Sequence, residues 1–301
     1  MSPRRNALGR RVGVIGGRGR FRTVEPVFER GPEVAIGRGS IKASPGDLVL
    51  ADFTPAGAKA IRVLGRADRA ADVVAALITD RGLRRGFSQA VTNEARDAAQ
   101  KARRDPGARI DLTALPTFTV DPASARDFDD AVSAERKGDG VLLRVHIADV
   151  AAHVRPGGRL ERVATERATS VYVPGTVEPM LPRELSDDAC SLAPGVERLA
   201  VTTEIHLDGR GEVGSVSFAR TLIRSDARLD YDQLDRVFSG RERAPAEVAT
   251  PLALAREVAA SLAERRTSSA LEIDSAEPEF SFDAAGHVTA ARSVSQTEAH
   301  R

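Results

Sequence analysis

Four carboxylates fall within ten residues in the run Asp121-Pro-Ala-Ser-Ala-Arg-Asp127-Phe-Asp129-Asp130. Like charges at this spacing raise each other's pKa and repel unless a cation or solvent relieves them. The flanking sequence restricts how that relief can come. A strand-like run over 115–120 enters the segment, and an alternating run leaves it from Ala131. The acids therefore stand at a strand-to-strand junction, at the start of a hairpin turned by Lys137-Gly138-Asp139-Gly140. A hard cation such as Mg²⁺ takes one or two carboxylates directly and fills its remaining positions with water and substrate phosphate. Such a junction suits a one- or two-metal phosphoryl-transfer site. A solvated turn is the other reading of the same spacing, and Asp121-Pro122 is itself a turn signal.

The longer string decides between them. Leu115-Pro116-Thr117-Phe118-Thr119-Val120-Asp121-Pro122 and Ala125-Arg126-Asp127-Phe128-Asp129-Asp130-Ala131 closely resemble the signature of the ribonuclease II / ribonuclease R exonuclease family, the RNB domain. The likeness continues through His146-Ile147-Ala148-Asp149-Val150, Ser170-Val171-Tyr172-Val173-Pro174-Gly175 and Pro179-Met180-Leu181-Pro182-Arg183-Glu184-Leu185-Ser186. It goes on through Cys190-Ser191-Leu192 and Gln296-Thr297-Glu298-Ala299-His300-Arg301. Any one motif alone is weak; several in order are specific.

The resemblance implies a 3′-to-5′ hydrolytic exoribonuclease that acts on single-stranded RNA, releases nucleoside 5′-monophosphates and uses Mg²⁺. By motif position it assigns the metal and the attacking water to Asp121, Asp127, Asp129 and Asp130, and substrate contact to Tyr172 and Arg126. Tyr172 would pack on the nucleotide at the RNA 3′ end. The family's catalytic region continues beyond the point matching Arg301, so the sequence reads as a C-terminally truncated member with little activity of its own. A non-catalytic RNA-binding relative, inactive through truncation, is the alternative. A small-molecule phosphodiesterase is a third reading.

The rest of the chain gives an α+β expectation with three parts. Residues 1–68 read as an OB- or cold-shock-like barrel, because short strands alternate with turn signals such as Pro45-Gly46. Residues 69–107 read as a helical connector, and 108–301 as the first part of a mixed α/β RNB catalytic region. In the barrel, Arg18, Arg20 and Arg22 alternate along the chain and could face phosphate, while Phe21, Phe28 and Phe53 are the aromatics available for base stacking. Residues 1–50 carry ten Lys/Arg against four Asp/Glu, although the whole chain is nearly neutral at +1.

Cys190 is the only cysteine, which excludes an intrachain disulfide and a multi-thiolate metal site and fits a small core residue. No apolar run approaches the roughly 20 residues that cross a bilayer, so a cytoplasmic protein outside the membrane is expected. His146 and His153 read as structural histidines. Ser295 and Glu298 have capping-box spacing, from which a helix start and a poorly packed terminal segment are expected.

Overall fold

The computed structural model describes residues 9–18, 21–266, 276–283 and 287–300. In chain order the first elements are β1 (Gly9–Arg18), β2 (Phe21–Pro26), β3 (Val34–Ala35), β4 (Asp47–Thr54), β5 (Gly57–Arg66), α1 (Ala70–Asp80) and α2 (Gln89–Arg104). There follow β6 (Ile110–Asp111), β7 (Phe118–Asp121), β8 (Asp130–Lys137), β9 (Gly140–Ala148), α3 (Arg159–Arg167), β10 (Val171–Val173) and β11 (Thr176–Glu178). The last are β12 (Glu197–Leu207), β13 (Val213–Arg224), β14 (Ala227–Asp230), α4 (Tyr231–Phe238), α5 (Ala249–Arg266), β15 (Ala276–Phe282) and β16 (Val288–Ser295). Among the described residues no helix is long and apolar enough to cross a membrane.

The chain forms two compact units. One gathers the residues up to Gly86 with Val171–Glu178 and Glu277–Val294; the other takes Phe87–Ser170, Pro179–Ala276 and the terminal segment from Ser295. This division corrects the expected 69–107 connector. Its first helix, α1, packs on the N-terminal sheet through Ala76 and Val73 against Val12 and Leu48. Its second, α2, belongs to the other unit.

In the first unit the strand order is β3-β2-β1-β4-β5, and Ile36 bridges to Ala58 on β5, so the two sheet edges meet. That is the strand order of an OB-like sheet. Ile15, Val24, Val49, Ala51 and Phe53 fill its interior. Phe53 is therefore core, and of the three barrel aromatics only Phe21 is widely exposed, at 80%. Arg20 and the side chain of Arg18 lie outside the described residues.

The second unit is built on a seven-stranded sheet, β14-β7-β8-β9-β12-β13-β6, antiparallel except for the pairs β14–β7 and β13–β6. Helices cover both faces, which is why the central strand β9 reads Val-Leu-Leu-Arg-Val-His-Ile-Ala with little alternation. On one face Ala131, Ala148, Ala200 and Ile223 pack against Val91, Ala95 and Ala99 of α2, Leu160 of α3 and Leu185. The small alanines of α2 recur at helical spacing and let it lie close to the sheet. Ser88 caps α2 through its hydroxyl to the Val91 amide. On the other face Phe118, Leu229 and Ala134 pack under Leu234 of α4 and Leu252, Leu254 and Val258 of α5. Gly140 lacks a Cβ that would strike the Leu207 carbonyl, so β9 can begin flush against β12.

The terminal segment departs from expectation. Glu298–His300 form a 3₁₀ turn, the His300 ring stacks on Tyr231 at 4.2 Å, and the Glu298 carboxylate takes Arg256 at 2.6 and 2.8 Å. The carboxylate expected to cap a new helix is spent on α5, and the segment is docked rather than loose.

Candidate active site

The four aspartates occupy the end of one strand, the loop after it and the start of the next. Asp121 closes β7, Asp130 opens β8, and Asp127 and Asp129 lie between them. The loop is held at several points. Ser191 donates its hydroxyl to the Arg126 carbonyl at 2.8 Å and accepts the Phe128 amide at 3.2 Å. Leu192 N–H bonds the Phe128 carbonyl, and Ala148 N–H bonds that of Asp129, at 2.8 and 2.9 Å. Arg228 donates to the carbonyls of Pro122 and Ala123 and lies 5.2 Å from the Phe128 ring centre. Phe128 is buried in the core, so the residue that interrupts the acid run is the one that anchors it.

The electrostatics are those of crowded acids. Burial pushes the Asp121 carboxyl up to about 6, with the Asp130 and Asp127 charges adding to it and the nearby Thr119 hydroxyl and Arg228 opposing it. Asp129 is raised by desolvation and then by Asp127 and Asp130, and Asp130 by desolvation. Asp121 Oδ2 is buried with no hydrogen-bond partner. An unpaired buried carboxylate oxygen is costly, and a bound cation would relieve it. Among the described residues no three His, Cys, Asp or Glu side chains converge as a ready-made cage. Mg²⁺ fits such a donor set nonetheless, because it asks for one or two carboxylates and keeps several waters.

Arg126 lies exposed on the loop, and among the described residues its side chain makes no hydrogen bond or ion pair. Tyr172 sits on β10 opposite Val177, 65% exposed, in the other compact unit. The structure thus gathers the four aspartates and Arg126 at the β7–β8 junction and places Tyr172 in the other compact unit.

One carboxylate escaped the sequence reading. Asp230 is in register with Asp121 on the parallel neighbour β14, where its Oδ1 accepts the Gln233 amide at 2.7 Å and caps α4. Only its capping position before the helix was legible, since the pairing of β14 with β7 spans a hundred residues of sequence. Cys190 is buried and its thiol is pushed up to about 12 by burial, consistent with a core residue. The charged run over 183–188 ties a π-helical turn, Glu184–Ala189, to α2 through Arg96–Glu184 and Arg103–Asp188 at 2.8 and 2.7 Å.

A mixed sheet thus gathers these acids at adjacent strand ends, with one carboxylate oxygen buried and unbonded. The chain belongs to the RNB domain family, whose model matches residues 109–301. It is 42% identical over 161 residues to "Ribonuclease R" of Chlamydia trachomatis, covering 53% of this chain and 23% of that protein. To "Ribonuclease R" of Escherichia coli K12 it is 37% identical over 199 residues, 64% of this chain and 24% of the relative. The fold is similar to Mycoplasma genitalium RNase R in its apo form, with a TM-score of 0.80 at 24% identity, covering 97% of this chain and 48% of that one. The same enzyme solved with ribose-methylated single-stranded RNA gives 0.80 at 23% identity over 99% and 49%. The chain thus spans about half the length of those solved structures and about a quarter of the curated relatives.

Proposed function

We propose that this chain carries the metal-holding site of a 3′-to-5′ exoribonuclease that hydrolyses single-stranded RNA to nucleoside 5′-monophosphates. The observation that carries the reading is Asp121, buried with one oxygen unbonded and flanked by Asp127, Asp129 and Asp130. Family membership and the single-stranded RNA bound by the Mycoplasma genitalium enzyme support it. Mg²⁺, when bound, supplies Lewis acidity at the scissile phosphate and at the leaving 3′ oxygen. Asp121, Asp127, Asp129 and Asp130 would hold it and orient the attacking water through their remaining oxygens. Arg126, exposed on the same rigid loop, meets the phosphodiester as a bidentate donor.

The test compares RNA labelled at each end, with excess chain over substrate and with Mg²⁺ present. Exonucleolysis from the 3′ end releases labelled mononucleotide at once from 3′-labelled RNA and shortens 5′-labelled RNA stepwise. RNA that is retained but never shortened would favour the non-catalytic binding alternative. Products from internal cuts would contradict both.

Tyr172 supplies a separate expectation. Base–aromatic stacking contributes roughly 1–3 kcal/mol per base. With the residue 65% exposed on a short hairpin, Tyr172→Ala should weaken the grip on the last nucleotides and lengthen the limit product while cleavage continues. An end product of unchanged length would leave Tyr172 a surface residue of its own unit.

A further inference from the structure

A continuous line of buried polar side chains crosses the catalytic sheet, one from each of five neighbouring strands or their entries. Thr117 Oγ1 lies 2.7 Å from Ser133 Oγ, Ser133 Oγ 2.9 Å from His146 Nε2, His146 Nδ1 2.7 Å from Thr202 Oγ1, and Thr202 Oγ1 2.7 Å from Thr221 Oγ1. At its ends Thr117 Oγ1 donates to the Leu115 carbonyl at 2.9 Å, and Thr221 Oγ1 lies 3.3 Å from the Ala200 carbonyl. All five side chains are 2% exposed or less. Nothing in the acid loop explains so much buried polarity.

Counting protons fixes its direction. The line has six contacts, and four hydroxyls with one neutral imidazole bring five protons to them. The ring is neutral, because burial, and after it the charge of Arg144, push it down to about 4 against the opposing pull of Glu204. One contact must therefore lack its proton. The Ala200 carbonyl already receives Arg109 Nη1 at 3.1 Å, and its contact with Thr221 is the longest of the six. The defect falls there. Thr117 then keeps its bond to Leu115, so Ser133 must donate to Thr117, and His146 must donate to Ser133 from Nε2. Nδ1 is left bare to accept from Thr202.

The donating side of the ring leads to the active-site strands. In the described structure β7 and β8 share a single register pair, Phe118 with Val132. Beyond that pair the strands run on to Asp121 and Asp130, and the carboxylate charges that act on Asp121 are those of Asp130 and Asp127. With so little backbone pairing between the strands, the Ser133–Thr117 bond, one residue behind that pair, is a side-chain tether that helps to set their spacing.

We propose that His146 is a positioning residue: as the Nε2–H tautomer it orients Ser133, and through Ser133 and Thr117 it sets the distance of Asp121 at the end of β7 from Asp130 at the start of β8 and Asp129 just before it. The role rests on the reading of those aspartates as cation ligands. Supporting partners behind metal ligands contribute roughly 10–100-fold in metal affinity. The two halves of the line should therefore behave differently. Thr117→Val cuts the tether, whereas Thr221→Val removes only the end that already carries the defect.

Two measurements on the full chain test this. Long-range ¹H–¹⁵N spectra of the imidazole should show the proton on Nε2, and a proton on Nδ1 would overturn the assignment. In Mn²⁺ titrations, Thr117→Val should weaken binding about tenfold or more, while Thr221→Val should stay within about twofold of the parent even where both lose comparable stability. Ser133→Ala repeats the first arm if Thr117→Val fails to fold. Equal Mn²⁺ affinity in the parent, Thr117→Val and Ser133→Ala would overturn the positioning role alone. A parent chain that binds no Mn²⁺ would overturn the cation reading, and the positioning role with it.

Discussion

In the full-length enzyme Asp129→Asn is expected to remove more than about 100-fold of the Mg²⁺-dependent release of mononucleotide, beyond what losing a supporting partner of a metal ligand costs, while single-stranded RNA affinity stays within a few-fold. The side chain belongs to the acid cluster, and its carboxyl is raised by desolvation and by the charges of Asp127 and Asp130. The amide keeps the shape but removes the charge that draws a cation. The backbone at this position is held independently of the side chain, by the Ala148 amide on the Asp129 carbonyl at 2.9 Å. The loop, with Arg126 on it, should therefore keep its form and its hold on phosphate. Single-turnover release from 3′-labelled RNA, beside a filter-binding titration, separates the two quantities. Unchanged release would remove Asp129 from the site.

Asp121→Asn should make the metal-free chain more stable at pH 7.5, an uncommon direction for a buried polar substitution. The folded carboxyl titrates near 6 against 3.8 for an ordinary aspartate. A raised carboxyl disfavours the charged folded form, so the penalty is full above about pH 6, shrinks as pH falls and is gone below about 4. The corresponding ceiling is about 3 kcal/mol. Thermal melts without divalent cations should show the variant above the parent by several degrees at pH 7.5 and converging with it near pH 4. Millimolar Mg²⁺ should raise the parent alone, since only a protein that binds the ion in its folded state gains from it. A variant less stable than the parent at pH 7.5 would mean that Asp121 is satisfied where it stands.

Much of the sheet was legible because hairpins announce themselves. β8 and β9 flank Lys137-Gly138-Asp139-Gly140, and β12 and β13 flank Asp208-Gly209-Arg210-Gly211, each with alternating or continuous apolar runs. The acid loop was legible as a string of residues, although its rigidity was not. Ser191 and Arg228, which fasten it, lie far along the chain and carry no local signal of that role. Asp230 was hidden for the same reason: a parallel strand pair is made by tertiary structure. Thr117, Ser133, Thr202 and Thr221 each look like ordinary polar strand residues, and only the register aligns them on His146. The supposed connector misled because two consecutive helices look continuous in sequence while each buries its stripe against a different body. At the terminus a capping pattern was outcompeted by Arg256 and Tyr231, whose positions no local reading supplies.

The aspartates at the β7–β8 junction are proposed above to hold a divalent cation. Mn²⁺, which shares the carboxylate preference of Mg²⁺ and can be followed by water-proton relaxation, tests it most directly. The parent chain should bind Mn²⁺ at pH 7.5, Mg²⁺ should displace it, and Asp121→Asn and Asp129→Asn combined should abolish the binding while the variant still melts cooperatively. Mn²⁺ affinity that is the same in the parent and in the folded double variant would contradict that proposal.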